Sequence, residues 1–247
     1  RFGPTDGMVC TGLGWIVLSL LGALPFCLSG EIPRYIDALF EIVSGFTTTG
    51  ASILSDVEVL SKGLLYWRSF SHWLGGMGVL VFLLAFTGGK GQGFTMHLLR
   101  AESPGPSVGK LVPKMRTTAA ILYVIYIAMT ILNFIFLVIG DMPVFDAVCT
   151  ALGTAGTGGF GIKNDSMASY SPYLQNVCTV FMFLFSINFA SFYLILLGRF
   201  KEAFTTEVKT FLGIVVVLIT VITLNSRGFF DTLGDAIKHV SFTVASL

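Results

Sequence analysis

A segment too short to cross a bilayer, residues 37–52, stands between two apolar runs that are long enough, residues 8–29 and 64–87. It begins Asp37-Ala38, continues through Phe40, Glu41 and Ser44, and ends Thr47-Thr48-Thr49-Gly50-Ala51-Ser52. A helix needs about 18–20 apolar residues to span the hydrocarbon region, so this one enters without crossing. Extended Thr/Gly backbone at membrane depth is tolerated only where protein or water satisfies its polar groups. A span, a half-span ending in Thr and Gly, then another span is the order of a pore loop.

The pattern recurs. Further full spans are predicted over 117–140, 172–198 and 203–224, and further half-spans over 144–155 and 230–247. With Asp37-Ala38 placed over Asp146-Ala147, Thr48 falls on Thr157, Gly50 on Gly159 and Ala51 on Phe160. A third copy starts at Asp235-Ala236, although Phe242–Ser246 fits Phe40–Ser44 better after a four-residue shift of register. Self-similarity of this kind constrains the fold more than any single motif. The units expected are 1–88 (helix–pore–helix), 89–116 (a basic cytoplasmic loop), 117–198 (a second helix–pore–helix unit) and 199–247 (the start of a third, before its filter). Two filters and part of a third unit do not close a pore by themselves.

Composition agrees with a polytopic membrane protein. Charged residues make up 12% of the chain and the mean hydropathy is +0.82, against about 25% charged in soluble domains. The first apolar run is too long for the apolar core of a signal peptide and lacks a small-residue cleavage site. Cys10, Cys27, Cys149 and Cys178 stand singly in or beside apolar segments, which favours buried small hydrophobes over disulfides or metal ligands. The side holding Arg1, the long loop and the 199–209 link carries nine Lys/Arg against four acids; the other carries six against ten. The basic side is therefore cytoplasmic, and the half-spans enter from outside through an acidic vestibule that concentrates cations.

Glycine permits the backbone dihedrals that aim carbonyls at an ion, and stacked carbonyls replace the water shell of a dehydrated cation. All-oxygen ligation suits alkali ions rather than transition metals. Glu41 and Arg68 are the ionisable residues nearest the bilayer in the first unit, and groups so placed pair with one another; a bond behind the filter is expected. Gly75-Gly76-Met77-Gly78 is read as a surface for close helix packing. Gly156-Thr157-Gly158-Gly159-Phe160-Gly161 formally matches the dinucleotide fingerprint, but that reading requires a preceding strand and a following helix. His72, His97 and His239 are scattered. No nucleophile or acid–base set converges, so an enzyme is not expected.

The motifs Phe40–Ser52, Tyr66-Trp67-Arg68, Trp73–Gly78, Thr157–Phe160, Ala101–Gly105 and Ile187–Phe189 resemble the TrkH/TrkG/KtrB potassium-uptake family across essentially the whole chain. The resemblance implies an all-α protein of repeated helix–pore loop–helix units in a channel-like, pseudo-fourfold arrangement. It implies potassium as the transported ion, with no covalent cofactor. Carried over position by position, Thr48, Thr49, Gly50, Thr157, Gly158 and Gly159 hold the ion, with Thr47, Glu41, Arg68, Gly156 and Phe160 as filter support. It further implies a homodimer in the inner membrane, a nucleotide-binding ring protein of the TrkA/KtrA type as cytoplasmic partner, and no nucleic acid. A sodium-permeable or H+/Na+-coupled transporter of the same architecture is the alternative. Gly156 and Gly158 replace Thr47 and Thr49, so the two filters differ.

Overall fold

The computed structural model describes residues 4–78, 115–159 and 161–246, and these are all helix, turn and loop with no strand among them. Helices α1 (Pro4–Gly22) and α2 (Leu24–Leu28) form the first span, interrupted at Ala23, with Pro25 in the first turn of α2. Proline is tolerated there because the first-turn N–H has no intrahelical partner. α3 (Tyr35–Phe46) is the first half-helix, and α4 (Lys62–Met77) the return helix. Then come α5 (Met115–Ile139), the second half-helix α6 (Val144–Ala155), α7 (Pro172–Ser186), α8 (Phe189–Leu196) and a short α9 (Phe200–Ala203). The long α10 (Thr206–Ser226), a 3-10 turn (Arg227–Phe229) and α11 (Leu233–Ala245) complete the order.

Three of the described helical segments are long and apolar enough to cross a membrane: Met8–Leu28, Ala120–Ile139 and Thr206–Phe229. The fourth span, predicted to be continuous over 172–198, is instead broken between α7 and α8, which meet at 91°. The cause is local. Ile187 is extended (φ −79°, ψ 140°), and the Asn188 side chain accepts a hydrogen bond from the Ala190 N–H at 3.0 Å, starting a new helix. Asn is among the best N-cap residues, and hydropathy does not register a cap. Of the span predicted over 64–87, the described part ends at Gly78; residues 79–87 and the basic loop lie outside the described residues.

α4 lies between the two half-helices and packs on both, while α5 closes over α6. Aromatic rings bind α4, α5 and α7 together: Tyr126 lies 5.2 Å from Trp73 and 5.5 Å from Phe185, centroid to centroid. Where α4 ends on its glycines, α5 supplies the hydrogen bonds. The Tyr126 hydroxyl donates to the Trp73 carbonyl at 2.8 Å and the Tyr123 hydroxyl to the Gly78 carbonyl at 2.7 Å. Freed backbone carbonyls at membrane depth need such partners.

The three half-helices share one frame. Each has its aspartate in the first turn (Asp37, Asp146, Asp235), where carboxylates favour the helix N-terminus. Each following alanine, Ala38, Ala147 and Ala236, is fully buried. Of the two registers open for the third copy, the Asp235-Ala236 alignment is the one that the helix starts follow, since Asp37, Asp146 and Asp235 are each the third residue of their helix.

Candidate ion-filter site

The two Thr/Gly segments leave their half-helices in the same way. Thr47 N–H bonds back to Val43 O and Thr48 N–H to Gly45 O; Gly156 N–H bonds to Gly153 O and Thr157 N–H to Thr154 O. Backbone then alternates in hand. Thr48 (φ 55°) and Gly50 (φ 74°) are left-handed with Thr49 between them not so, and Thr157 (φ 63°) and Gly159 (φ 65°) flank Gly158 identically. Alternation of this kind turns successive carbonyls toward one side of a strand. A β-branched residue at positive φ is a genuine outlier, costing about 1–3 kcal/mol and persisting only where the surroundings enforce it. The same strain recurs at the same place in both copies.

The two segments also touch. A Cβ added to Gly50 would overlap the Gly158 carbonyl oxygen, with its carbon at 2.9 Å; one added to Gly158 would overlap the Thr48 carbonyl and meet His72 Nε2 at 2.7 Å. Gly156 faces the same imidazole, its added Cβ lying 2.6 Å from His72 Cδ2. His72 is fully buried and lies where the two segments meet, with the Thr48 backbone as a polar neighbour. Gly75 and Gly76 carry this close approach along α4. A Cβ on Gly75 would strike the Phe46 carbonyl, and one on Gly76 would lie 2.8 Å from the Ala155 carbonyl. The glycine cluster read as a packing surface is where α4 seats the ends of both half-helices.

Behind the first segment, Glu41 and Arg68 are buried and paired, Arg68 Nε to Glu41 Oε1 at 2.5 Å. The pairing expected of them is present. Glu41 also accepts from Ser52 Oγ (3.0 and 3.1 Å) and from the Ile53 N–H (3.0 Å). Arg68 donates its second bond to the Gly161 carbonyl, beyond the second segment. One ion pair thereby ties both strands. Ser44 Oγ donates to the Ala51 carbonyl at 2.5 Å, which turns that oxygen back onto α3.

Thr47 caps its own helix, Oγ1 donating to Val43 O at 2.8 Å, and its hydroxyl lies 2.8 Å from that of Thr49. Thr48, Gly50, Thr157, Gly158 and Gly159 are partly exposed although residues 44–46 and 153–155, which end their half-helices, are buried. Phe160 lies outside the described residues. The dinucleotide reading of Gly156–Gly161 meets helix α6 in place of the strand it needs. The sequence missed Ser44, Ser52 and His72. A signal for the last was present: Arg68, Ser71, His72 and Gly75 recur at i, i+3, i+4 and i+7, a polar and small stripe along an otherwise apolar helix.

Beyond the two Thr/Gly segments, Asn164 ties the two units together. It accepts from the Val57 N–H at 2.8 Å, donates Nδ2 to Asp56 at 2.8 Å and its own N–H to Glu58 at 3.1 Å. Tyr170 donates to Asp146 at 2.8 Å, and burial with that carboxylate pushes its phenol above the usual range, so it remains protonated.

Apolar helices long enough to cross a membrane, around two contacting, strained Thr/Gly segments that end half-length helices, define the class: a polytopic membrane protein. The chain belongs to the TrkH family of cation transport proteins, whose model matches residues 3–228. It is 32% identical to the Trk system potassium uptake protein TrkH of Salmonella typhimurium, over 98% of this chain and 51% of that one. It is 31% identical to the Trk system potassium uptake protein TrkG of Escherichia coli, with the same coverage. The crystal structure of the potassium transporter TrkH from Vibrio parahaemolyticus superposes with a TM-score of 0.81 at 28% identity, covering 98% of this chain and 50% of that one. The chain spans about half the length of the curated relatives it matches.

Proposed function

We propose that the chain contributes two walls of a potassium-selective filter and serves potassium uptake across the cytoplasmic membrane. The observation that carries this reading is the matched alternation of backbone hand at Thr48–Gly50 and Thr157–Gly159, two segments in direct contact. Their carbonyls, with the Thr48, Thr49 and Thr157 hydroxyls, replace the water around the ion. Glu41 and Arg68 tie the strands together from behind, Thr47 and Gly156 support the turns out of the half-helices, and Phe160 is assigned to filter support. Naming of the relatives as potassium uptake proteins supports the choice of ion. The test is potassium uptake by the full-length protein in cells lacking other uptake routes. Gly50→Ala, which drives a methyl group into the Gly158 carbonyl, abolishes selective flux if the filter is here; wild-type selective uptake by that variant contradicts the reading.

The helix–pore–helix units 1–88 and 117–198, the loop 89–116 and the third unit from 199 are proposed to surround one axis with pseudo-fourfold symmetry. The half-helices enter from outside, the basic side faces the cytoplasm, and two copies associate. Relatives named as parts of a Trk system support a regulatory partner, for which the nucleotide-binding ring protein of the TrkA/KtrA type is the candidate. A sodium-permeable or ion-coupled carrier of the same architecture predicts flux that persists when potassium is replaced by sodium or that follows the proton gradient. Ion-replacement uptake separates the two.

A further inference from the structure

Thr48 is a β-branched residue in left-handed backbone, φ 55°, a conformation that persists only where its surroundings enforce it. Its N–H bonds to the Gly45 carbonyl within its own turn. The rest of the residue is held from α4. Thr48 Cγ2 lies 3.0 Å from the place of a Cβ on Gly75, and the Thr48 carbonyl oxygen lies against the place of a Cβ on Gly158. That second place is also 2.7 Å from His72 Nε2. His72 precedes Gly75 by three residues, on the same face of α4.

His72 therefore stands against both segments. Toward the first, its polar neighbour is the Thr48 backbone. Toward the second, the three atoms nearest to a Cβ on Gly156 are all its own, Cδ2 at 2.6 Å and Cγ and Nε2 at 2.9 Å. The ring is fully buried, so the packing around it fixes where it stands. The Glu41–Arg68 pair ties the segments at Ser52, Ile53 and Gly161, past their glycines. His72 stands between them at Thr48, Gly156 and Gly158, among the proposed ion ligands. A neutral imidazole carries one N–H, and on Nε2 that proton has the Thr48 carbonyl to receive it.

We propose that His72 is a specificity-determining positioning residue: Nε2–H donates to the Thr48 carbonyl, and the ring sets the spacing of the two Thr/Gly segments. A backbone carbonyl has two lone pairs. His72 takes one and thereby fixes the direction in which the other is offered. Filters discriminate by the size of the carbonyl cage or by the number and field strength of its carbonyls. Spacing acts on the first and the hydrogen bond on the second. The inference rests on the potassium-filter reading, which makes the Thr48 carbonyl an ion ligand.

The test is the potassium-to-sodium flux ratio of the full-length transporter, at matched abundance in the membrane. His72→Leu fills similar space without a donor, and the ratio falls by about threefold or more, as expected for one lost hydrogen bond of ordinary strength. His72→Gln, which presents an amide N–H near the place of Nε2, recovers most of that loss. A merely structural role would lower uptake of both ions together and leave the ratio alone. A wild-type ratio in His72→Leu, or no better a ratio in His72→Gln than in His72→Leu, overturns the proposal. Where His72→Leu fails to reach the membrane, Gly156→Ala decides. Its backbone (φ −84°, ψ −6°) accepts alanine without strain, and the added methyl group presses on the His72 ring. The ratio shifts in that variant too, and a wild-type ratio there overturns the proposal. Selective uptake intact in Gly50→Ala would sink the filter reading and this inference with it. Loss of selectivity in Gly50→Ala with a wild-type ratio in the His72 and Gly156 variants would sink this proposal alone.

Discussion

Gly30 and Gly50 hold nearly the same left-handed backbone, φ 77° and 74°, in different company. Around Gly30 an added Cβ meets nothing within 4 Å, while at Gly50 it overlaps the Gly158 carbonyl. An alanine forced into left-handed backbone costs about 1–2 kcal/mol, and that is the whole effect expected of Gly30→Ala, with uptake retained. Gly50→Ala carries the same strain and in addition pushes the two filter strands apart. Uptake by the two variants at matched abundance separates strain from contact: equal loss in both contradicts the account. His72 belongs to the same scale. Its ring occupies the space that side chains at positions 156 and 158 would need, so packing explains the glycines that stand where the first segment has Thr47 and Thr49.

At the scale of elements, α4 organises the site by seating both half-helices on Arg68, Ser71, His72, Gly75 and Gly76. Removing one member of a buried ion pair costs about 3–5 kcal/mol, because the other charge is left uncompensated, whereas replacing both costs less. Arg68→Met is expected to lower the thermal stability of the purified full-length protein in detergent, and Glu41→Gln added to it to recover part of the loss. A neutral Arg68→Met contradicts the role given to the pair. Much of this level was legible in the chain itself. Half-helices α3 and α6 follow from apolar segments too short to span, and the Asp-Ala repeat predicts that they superpose. The Glu41–Arg68 pair follows from the cost of isolated charge at membrane depth. The break at Ile187-Asn188 was not legible, because a cap of one side chain on one N–H leaves the hydropathy of residues 172–198 unchanged. Contacts of Gly75, Gly76, Gly156 and Gly158 are tertiary, and a glycine in a sequence does not say which backbone it lets approach.

For the whole molecule, the third half-helix extends the arrangement of the first two. α11 packs on α7 and α10, and Ser246 at its end lies 3.6 Å from where a Cβ on Gly159 would be. The end of the third half-helix thus lies beside the second Thr/Gly segment. Much of α10 faces outward with exposed Ile214, Val216, Val217 and Val221, as expected of a surface that meets lipid or further protein. Orientation is open to a direct check in a cysteine-free background. A cysteine at Asp56 or Lys163 is expected to react with a membrane-impermeant thiol reagent from outside intact cells, and one at Lys201 only after the membrane is opened. The reverse pattern would invert the topology and place the half-helices' entry on the cytoplasmic side.

The central claim is that the Thr48–Gly50 and Thr157–Gly159 segments together coordinate a dehydrated alkali cation. Crystals of the full-length protein grown with rubidium, a potassium analogue with a strong anomalous signal, test it most directly. The account predicts an anomalous peak in contact with carbonyl oxygens of both segments, lost when rubidium is exchanged for sodium. A well-ordered filter with no peak there, or with the peak bound elsewhere in the protein, would contradict it.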